Sequence, residues 1–285
     1  MQHPTNLAVT ANWLAYSPSL RSEAILAGCE ACADDLAADE VFAVELPIAH
    51  MNEEIEQLDE NFWRQILAPF QARGITVRSV HGPTFSYDRF PLDVECERMR
   101  RYARAAQILG ASSLVVHPVF QAYLHVCSVA QVALDRDVSL ATALGAELAG
   151  GACRLAIENV PHNSWAYLQE LFRRLPDAVG MCFDTGHYLV RPELPLGDAL
   201  RAFAPRIACW HLNDNHALCD EHLAPGLGSF PWQKWSPDVP GVTGNPPRVL
   251  ELSLPWVADQ PQAREMSRSQ MRAALSQTRT TLQIP

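Results

Sequence analysis

The sequence has no apolar run near the length of a membrane span. No stretch approaches the roughly 18 consecutive apolar residues that a spanning helix needs, and the opening residues MQHPTNLAVTANW lack a basic region followed by an apolar core. These absences predict neither a membrane anchor nor a secretion signal. We therefore expect a cytoplasmic protein with no membrane partner.

Basic residues are scarce relative to acidic ones. The 22 Lys and Arg residues stand against 32 Asp and Glu residues, which gives a formal net charge of −10. Domains that bind nucleic acid usually carry a basic surface. The charge balance therefore argues against a nucleic-acid partner, although a local basic patch would not show in the average.

The eight cysteines do not form a pattern typical of a disulfide scaffold, because such scaffolds are normally short secreted chains. Several lie in apolar runs such as CRLAIENV and RIACWHLND, where a buried thiol packs as a small apolar side chain. Cys29 and Cys32 form a C-x-x-C pair in a helical stretch with no second pair. The sequence favours reduced, packed thiols over a metal or redox use of that pair.

A repeating unit runs along the 285 residues: a short apolar run, a polar turn and then a helical stretch. The predicted strands are Leu7–Ala15, Val41–Ile48, Ile75–His81, Ser113–His117, Arg154–Asn159, Val179–Asp184, Arg206–Leu212 and Arg248–Leu254. Their nearly continuous apolar character is typical of parallel strands that are covered on both faces.

Amphipathic helical stretches separate most of these strands. The predicted helices include Leu20–Leu36, Glu53–Arg73, Leu92–Leu109, Ser128–Leu148, Trp165–Leu175 and Gln262–Leu282. Eight strands that alternate with helices are compatible with a doubly wound sheet or a closed barrel, and the count of eight favours the barrel. We predict one α/β domain over residues 1–285, a (β/α)8 TIM barrel, with the Pro- and Gly-rich stretch 225–247 as a long loop after the seventh strand.

Side chains that commonly bind metal ions stand at the ends of six predicted strands or just after them. They are His81 in VHGP, His117 in VVHP, Glu158 in LAIENVP, Asp184 and His187 in CFDTGH, His211 in WHLND with Asp220 and His222 in the following DEH, and Glu251 in VLELSL. In a barrel these ends meet on one face, where barrel active sites are built.

One histidine at a strand end is more often a hydrogen-bonded structural residue than a ligand. Buried carboxylates are harder to dismiss, because an unpaired buried charge costs several kcal/mol. Glu158, Asp184 and Glu251 all lie in apolar runs, and carboxylates that converge beside His211 would repel one another without a cation. The set therefore predicts a divalent-metal site, with zinc, manganese, cobalt or magnesium as the candidate ions.

Five motifs together resemble the xylose-isomerase-like barrel superfamily: VHGP, VVHP, LAIENVP, CFDTGH and HLNDNHALCDEHLAPGLGSFPW. This superfamily includes sugar isomerases and epimerases as well as endonuclease IV (AP endonuclease family 2). The resemblance runs from the second strand to the eighth. In the sugar epimerases it implies a single metal held by Glu158, Asp184, His211 and Glu251. In endonuclease IV it implies three zinc ions on nine ligands: His81, His117, Glu158, Asp184, His187, His211, Asp220, His222 and Glu251. One to three ions per chain are therefore expected.

The sequence departs from both patterns. The epimerases often carry an Arg shortly after the strand-seven histidine, but His211–Trp232 contains no Lys or Arg. Several other mouth segments are equally poor in basic residues, whereas a phosphodiester backbone or a sugar phosphate normally meets more of them. The mouth therefore favours a neutral, hydroxylated substrate.

Five further residues are candidate substrate contacts or supports for the ligands: Glu45, Asn159, His162, His216 and Trp232. Glu45 is interpreted as a carboxylate that supports a ligand or accepts from substrate, with a structural role as the alternative. For Trp232 the sequence favours core packing or loop anchoring over stacking against a sugar.

The function that we expect is a metal-dependent isomerase or epimerase acting on a small, unphosphorylated sugar or polyol ketone. The reaction would be a proton transfer through an enediolate, with Glu158 and Glu251 as the catalytic bases. The alternative is a multi-zinc phosphodiesterase of the endonuclease IV type. A barrel that binds metal without catalysis and a homo-oligomeric assembly also stay open.

Overall fold

The structure, a computed structural model, contains a closed barrel of eight parallel strands. It describes residues 7–11, 22–49, 59–87, 89–119, 127–236, 238–252 and 261–283. The strands are β1 (Leu7–Thr10), β2 (Ala43–Pro47), β3 (Thr76–Thr84), β4 (Ser113–His117), β5 (Arg154–Glu158), β6 (Gly180–Asp184), β7 (Ile207–Leu212) and β8 (Arg248–Leu250). Each strand pairs with the next, and β8 pairs with β1. The predicted (β/α)8 barrel is confirmed; the predicted ends of the first and last strands lie outside the described residues.

Helices surround the barrel. They are α1 (Ser22–Ala38), α2 (Glu60–Ala72), α3 (Leu92–Ile108), α4 (Cys127–Leu148), α5 (Trp165–Arg174), α6 (Thr185–Val190), α7 (Leu196–Phe203) and α8 (Pro261–Leu282). No periodic pattern in the sequence predicted α6 and α7, because helices of six and eight residues are too short to show a clear periodicity. In the described part of the loop after β7, the helical element is a single 3-10 turn at Trp232–Lys234.

Local signals fix where the helices begin and end. Asp59 caps α2, since its carboxylate accepts a hydrogen bond of 2.9 Å from the Phe62 amide. Ser164 caps α5 in the same way at 3.2 Å from the Tyr167 amide. Gly110 follows α3 with φ of +75°, a conformation that ends a helix and that side chains other than glycine disfavour.

Two layers of packing form the core. Outward-facing strand residues pack against the apolar faces of the helices in one large cluster. Inside the barrel, a smaller cluster contains Ala8, Val115, Ala156, Cys182, Ala208, Cys209 and Val249. Small side chains fill this interior, and the layer above them is where the polar residues begin.

The structure contains no helix, among those it describes, that combines the length and the apolar character needed to cross a membrane.

Candidate metal centre

Alternation along the strands brings the predicted ligands into one layer. Successive strand residues point to opposite faces, so the residue two positions after an interior residue also points inward. Cys182 is followed in this way by Asp184, and Cys209 by His211. The same spacing leads from interior residues to His117, Glu158 and Glu251, so the ligand layer lies directly above the apolar interior at the carboxyl ends of the strands.

Four of these residues form the innermost group: Glu158, Asp184, His211 and Glu251. One possible ligand atom from each lies within 4.8 Å of the others. Nδ1 of His211 is 2.9 Å from Glu251 Oε2, 3.4 Å from Glu158 Oε2 and 3.9 Å from Asp184 Oδ2. The side chains of Glu158, Asp184 and His211 are fully buried, while that of Glu251 is 16% exposed toward the mouth.

A second group shares Glu158 with the first. It consists of His81, His117 and Glu158, again with possible ligand atoms within 4.8 Å of one another. The Nε2 atoms of the two histidines lie 3.4 Å and 3.2 Å from Glu158 Oε2. Because Glu158 belongs to both groups, its carboxylate stands between them.

A third group comes from α6 and the loop after β7. Asp220 Oδ2 lies 3.0 Å from His187 Nε2 and 2.9 Å from His222 Nε2. On its other side, His187 Nδ1 is 3.0 Å from Glu158 Oε1. The structure thus places Asp220 and His222 beside His187.

The donors of these groups are poorly satisfied by the protein itself. Six of their buried atoms have no hydrogen-bond partner among the residues that the structure describes: both carboxylate oxygens of Glu158, Nε2 of His117, Nδ1 of His187, Nδ1 of His211 and Oε2 of Glu251. Buried polar atoms are rarely left this way. Carboxylate oxygens with imidazole nitrogens are a donor set that fits Zn²⁺, Mn²⁺, Co²⁺ or Mg²⁺.

Protonation of the histidines shows the same charge imbalance. Burial acts to lower the pKa of His81, yet the nearby carboxylates of Glu158, Glu45 and Glu251 outweigh it and raise that pKa to about 9. The pKa of His222 is also raised to about 9 against burial, chiefly by Glu251 and Asp220. The carboxylates thus draw protons onto these two imidazoles, whereas burial lowers the pKa of His117. A bound cation would displace the protons of His81 and His222.

Two carboxyl groups respond in opposite directions. Burial raises the pKa of Asp184 to about 6. Burial also acts to raise the pKa of Glu158, but its neighbours His211 and His117 lower it well below its usual value. Glu158 is therefore held as an anion, and so is Glu251, whose pKa is lowered by His211 and His222 against the effect of burial.

Glu45 supports His211 from the side away from the group. Glu45 Oε2 is 3.1 Å from His211 Nε2, and both side chains are fully buried. The Thr10 hydroxyl donates to Glu45 Oε1 at 3.3 Å. A carboxylate in this position holds the ring proton on Nε2 and leaves Nδ1 to face Glu158 and Glu251.

Asn159 and Asn213 hold Asp184. The Asn159 amide group donates to the Asp184 carbonyl at 3.0 Å and accepts from the Asp184 amide at 2.7 Å. Asn213 Nδ2 donates to Asp184 Oδ2 at 2.7 Å. Asp184 Oδ1 in turn accepts from the His187 amide at 2.6 Å, which caps α6. Asn159, predicted as a substrate contact, is thus buried and engaged with the β6 backbone.

Asp214, which the sequence analysis missed, shapes the loop that carries the third group. Its carboxylate accepts hydrogen bonds from the amides of Gly226 and Phe230 and from the Trp232 indole, at 3.0, 2.9 and 2.8 Å. The loop backbone passes so close to Asp214 at Gly228 that no side chain fits there, since a Cβ would lie 2.4 Å from Asp214 Oδ1. The sequence feature that could have identified Asp214 is its place two residues after the end of β7, before a loop with two closely spaced glycines.

A pocket of about 500 Å³ opens beside the second and third groups. Its apolar wall consists of Pro118, Val160, Pro161 and Val190. Its polar wall consists of Thr84, His117, His162, His187, Cys219 and Asp220. These described lining residues include no lysine or arginine. The nearby Arg191 instead pairs with Glu193 at 2.5 Å and is 3.4 Å from the carbonyl of Pro161.

Of the three remaining residues that were predicted to contact substrate, namely His162, His216 and Trp232, one lies in the wall of this pocket. His162 lines it. His216 is absent from that lining and pairs with Glu221 at 2.9 Å at the surface. Trp232 is buried in the aromatic cluster, where its centroid lies 4.5 Å from that of Phe230. The sequence could not separate these positions, because all three follow ligand-bearing strands.

Comparisons with known proteins agree with this architecture. A family model described as xylose isomerase-like TIM barrel matches residues 34–239. D-Psicose 3-epimerase from Clostridium cellulolyticum H10, solved with D-tagatose, has a TM-score of 0.69 at 12% identity, over 98% of this chain and 99% of that chain. D-Allulose 3-epimerase from Methylomonas sp., in complex with D-allulose, has a TM-score of 0.71 at 15% identity, over 98% and 97%. A xylose isomerase domain protein from Alicyclobacillus acidocaldarius has a TM-score of 0.66 at 19% identity, over 97% and 99%.

Among curated proteins, none matches the sequence significantly. Identities of 12 to 19% establish the shared fold and leave the reaction to be argued from the site.

Proposed function

The chain belongs to the xylose isomerase-like TIM barrel family, and on that premise we propose that it is a divalent-metal-dependent isomerase or epimerase. Its substrate would be a small, unphosphorylated sugar or polyol ketone, converted by removal and return of a carbon-bound proton. The observation that carries the proposal is the pairing of two carboxylates, the buried Glu158 and the largely buried Glu251, around His211, next to a pocket whose described lining contains no lysine or arginine.

The lining of the pocket argues for an unphosphorylated substrate. A phosphate group is normally met by lysine, arginine or a helix N-terminus, and bidentate arginine contacts are the strongest of these. Arg191 is the basic residue nearest to the described lining, and its guanidinium is engaged by Glu193 and the carbonyls of Pro161 and His162. A sugar hydroxyl needs only a neutral partner such as Thr84 or His162.

Each residue of the innermost group has a distinct task in this proposal. Asp184, held by Asn159 and Asn213, and His211, held by Glu45, would fix the ion. A divalent ion bound there supplies Lewis-acid polarisation of a ketone oxygen. Glu158 and Glu251 both turn Oε2 toward His211. Glu251 Oε1, 4.0 Å from His81 Nε2, would be the freer oxygen for proton removal and return. Glu158 Oε1, which lies 3.0 Å from His187 Nδ1, would exchange its proton beside that imidazole.

A multi-zinc phosphodiesterase is the second candidate, and the three adjoining groups favour it. Glu158 Oε1 faces His187 while Glu158 Oε2 faces His81, His117 and His211. If both oxygens were bound to ions, Glu158 would be a bridging ligand and a poor base. Bridged metal sites of this kind support hydrolysis by activating water. The number of bound ions therefore separates the two functions.

The test is incorporation of solvent deuterium into a panel of ketoses and inososes with Mn²⁺, Co²⁺ or Mg²⁺ supplied. We expect exchange with at least one member and its loss in Glu251→Gln, which keeps a ligand oxygen but removes the base. Glu97→Gln, an exposed glutamate paired with Arg100, is the matched control and should exchange normally. Cleavage of abasic-site DNA with salt-sensitive binding, and no exchange with any ketone, would favour the phosphodiesterase.

A further inference from the structure

Two cysteines lie directly beneath the ligand layer. Cys182 and Cys209 are register partners on β6 and β7, two residues before the partners Asp184 and His211 on the same strands. Both are fully buried. One ligand atom from each cysteine and one ring nitrogen of His211 all lie within 4.8 Å of one another. The function proposed above makes no use of either thiol.

The surroundings of these thiols suit a neutral complex. The interior residues around them, Ala8, Val115, Ala156 and Val249, are small and apolar. The Ser79 hydroxyl, 3.9 Å from Cys209 Sγ, is a weak partner at that distance. Two thiolates with one divalent cation carry no net charge, which is the form that an apolar layer accepts at least cost.

The separations also suit a common ion. A point at the centre of a triangle with sides of at most 4.8 Å lies within about 2.8 Å of each corner. Metal–sulfur bonds near 2.3 Å and metal–nitrogen bonds near 2.0 Å, as known for zinc, are reached from there by movements of about 0.5 to 0.8 Å.

We propose that Cys182, Cys209 and His211 form a soft-metal site that takes a thiophilic divalent cation such as Cd²⁺ and shares only His211 with the oxygen-rich group above it. Soft sulfur ligands select such cations, while carboxylates select harder ones. On binding, two S–H bonds break, two metal–sulfur bonds form, and the two protons leave to solvent.

This site would compete with the centre above it. His211 belongs both to the thiol group and to the group with Glu158, Asp184 and Glu251. A soft cation that draws on the His211 imidazole therefore changes the affinity of the upper group for a harder ion. The ligand layer above the thiols is itself partly exposed, at Glu251 and His117.

The experiment is ultraviolet difference absorption of the full chain titrated with CdCl₂, in which cadmium–thiolate bonds give a charge-transfer band. We expect the band in the wild-type protein and its loss in Cys182→Ser and in Cys209→Ser. Two matched controls, Cys153→Ser at another buried cysteine and Cys219→Ser at an exposed one, should keep it. Retained Mn²⁺ binding shows that the first two variants are folded.

A second readout needs no variant. X-ray absorption at the cadmium edge of the wild-type complex should show two sulfur neighbours. Only oxygen and nitrogen neighbours would overturn the proposal, as would a charge-transfer band that persists in Cys182→Ser and disappears in Cys219→Ser.

Discussion

Replacing Glu45 with leucine would remove the carboxylate that holds His211 from behind while leaving all members of the innermost group in place. Glu45 Oε2 lies 3.1 Å from His211 Nε2, and neither side chain is exposed. Without this acceptor the ring is free to exchange its tautomer or to rotate, and Nδ1 no longer points only at Glu158 and Glu251.

The expected size of the effect follows from the type of contact. Loss of a carboxylate behind a metal-binding histidine typically lowers metal affinity by about 10–100-fold, which corresponds to roughly 1.4–2.7 kcal/mol. Glu45→Leu should lie at the upper end of that range. Glu45→Gln should lie at the lower end, because its amide oxygen still accepts a hydrogen bond from Nε2 but carries no charge.

Isothermal titration with Mn²⁺ and Zn²⁺ measures this directly. Thr10→Val is the matched control, because it removes only the 3.3 Å hydrogen bond to the other oxygen of Glu45 and leaves the contact with His211. It should bind metal nearly as the wild type does. Unchanged metal affinity in a folded Glu45→Leu variant would refute the assignment of Glu45 as the support of His211.

Three further outcomes are expected. The pKa of His81 and of His222 is raised in the fold from 6.5 to about 9, so the stability that their protonation contributes is fully present below pH 6.5 and is lost as pH rises through 9. Thermal melting in EDTA should therefore show a Tm that falls between pH 6.5 and 9, while metal affinity rises over the same window. A Tm and a metal affinity that both stay constant across this window would contradict the prediction. Gly186→Ala places a Cβ 1.8 Å from Asn213 Oδ1 and should cost about 1–3 kcal/mol in denaturant unfolding, whereas Gly197→Ala, 3.3 Å from the end of an arginine, should be close to neutral. Asp220→Asn should weaken only the third group, so elemental analysis of a multi-ion protein should find one ion fewer; an unchanged count would mean that this group holds none.

Much of the fold was predictable because the strands carry a continuous apolar signal. The predicted Ser113–His117 coincides with β4, and the predicted ends of β6 and β7 are those observed. The ligand layer followed from the same pattern, since polar residues that end apolar strands must share one rim of a parallel barrel. Their roles as metal ligands stay predictions.

The remainder depends on contacts that no local pattern encodes. His216 and Trp232 occupy the same ligand-rich loop, yet one pairs with Glu221 at the surface and the other packs in the core. The role of Asp214 as the acceptor that folds this loop depends on three donors 12 to 18 residues away. The convergence of Cys182 and Cys209 needed the strand register, which a single sequence does not give.

The most direct test of the central claim is the metal content of the protein after removal of metal with EDTA and equilibration with Mn²⁺ or Zn²⁺ at pH 8. Wild-type protein should retain one to three ions per chain on elemental analysis. Glu158→Ala, which removes the carboxylate shared by two groups, should lose at least one of them. Wild-type protein without stoichiometric metal, or an unchanged count in folded Glu158→Ala, would contradict the account.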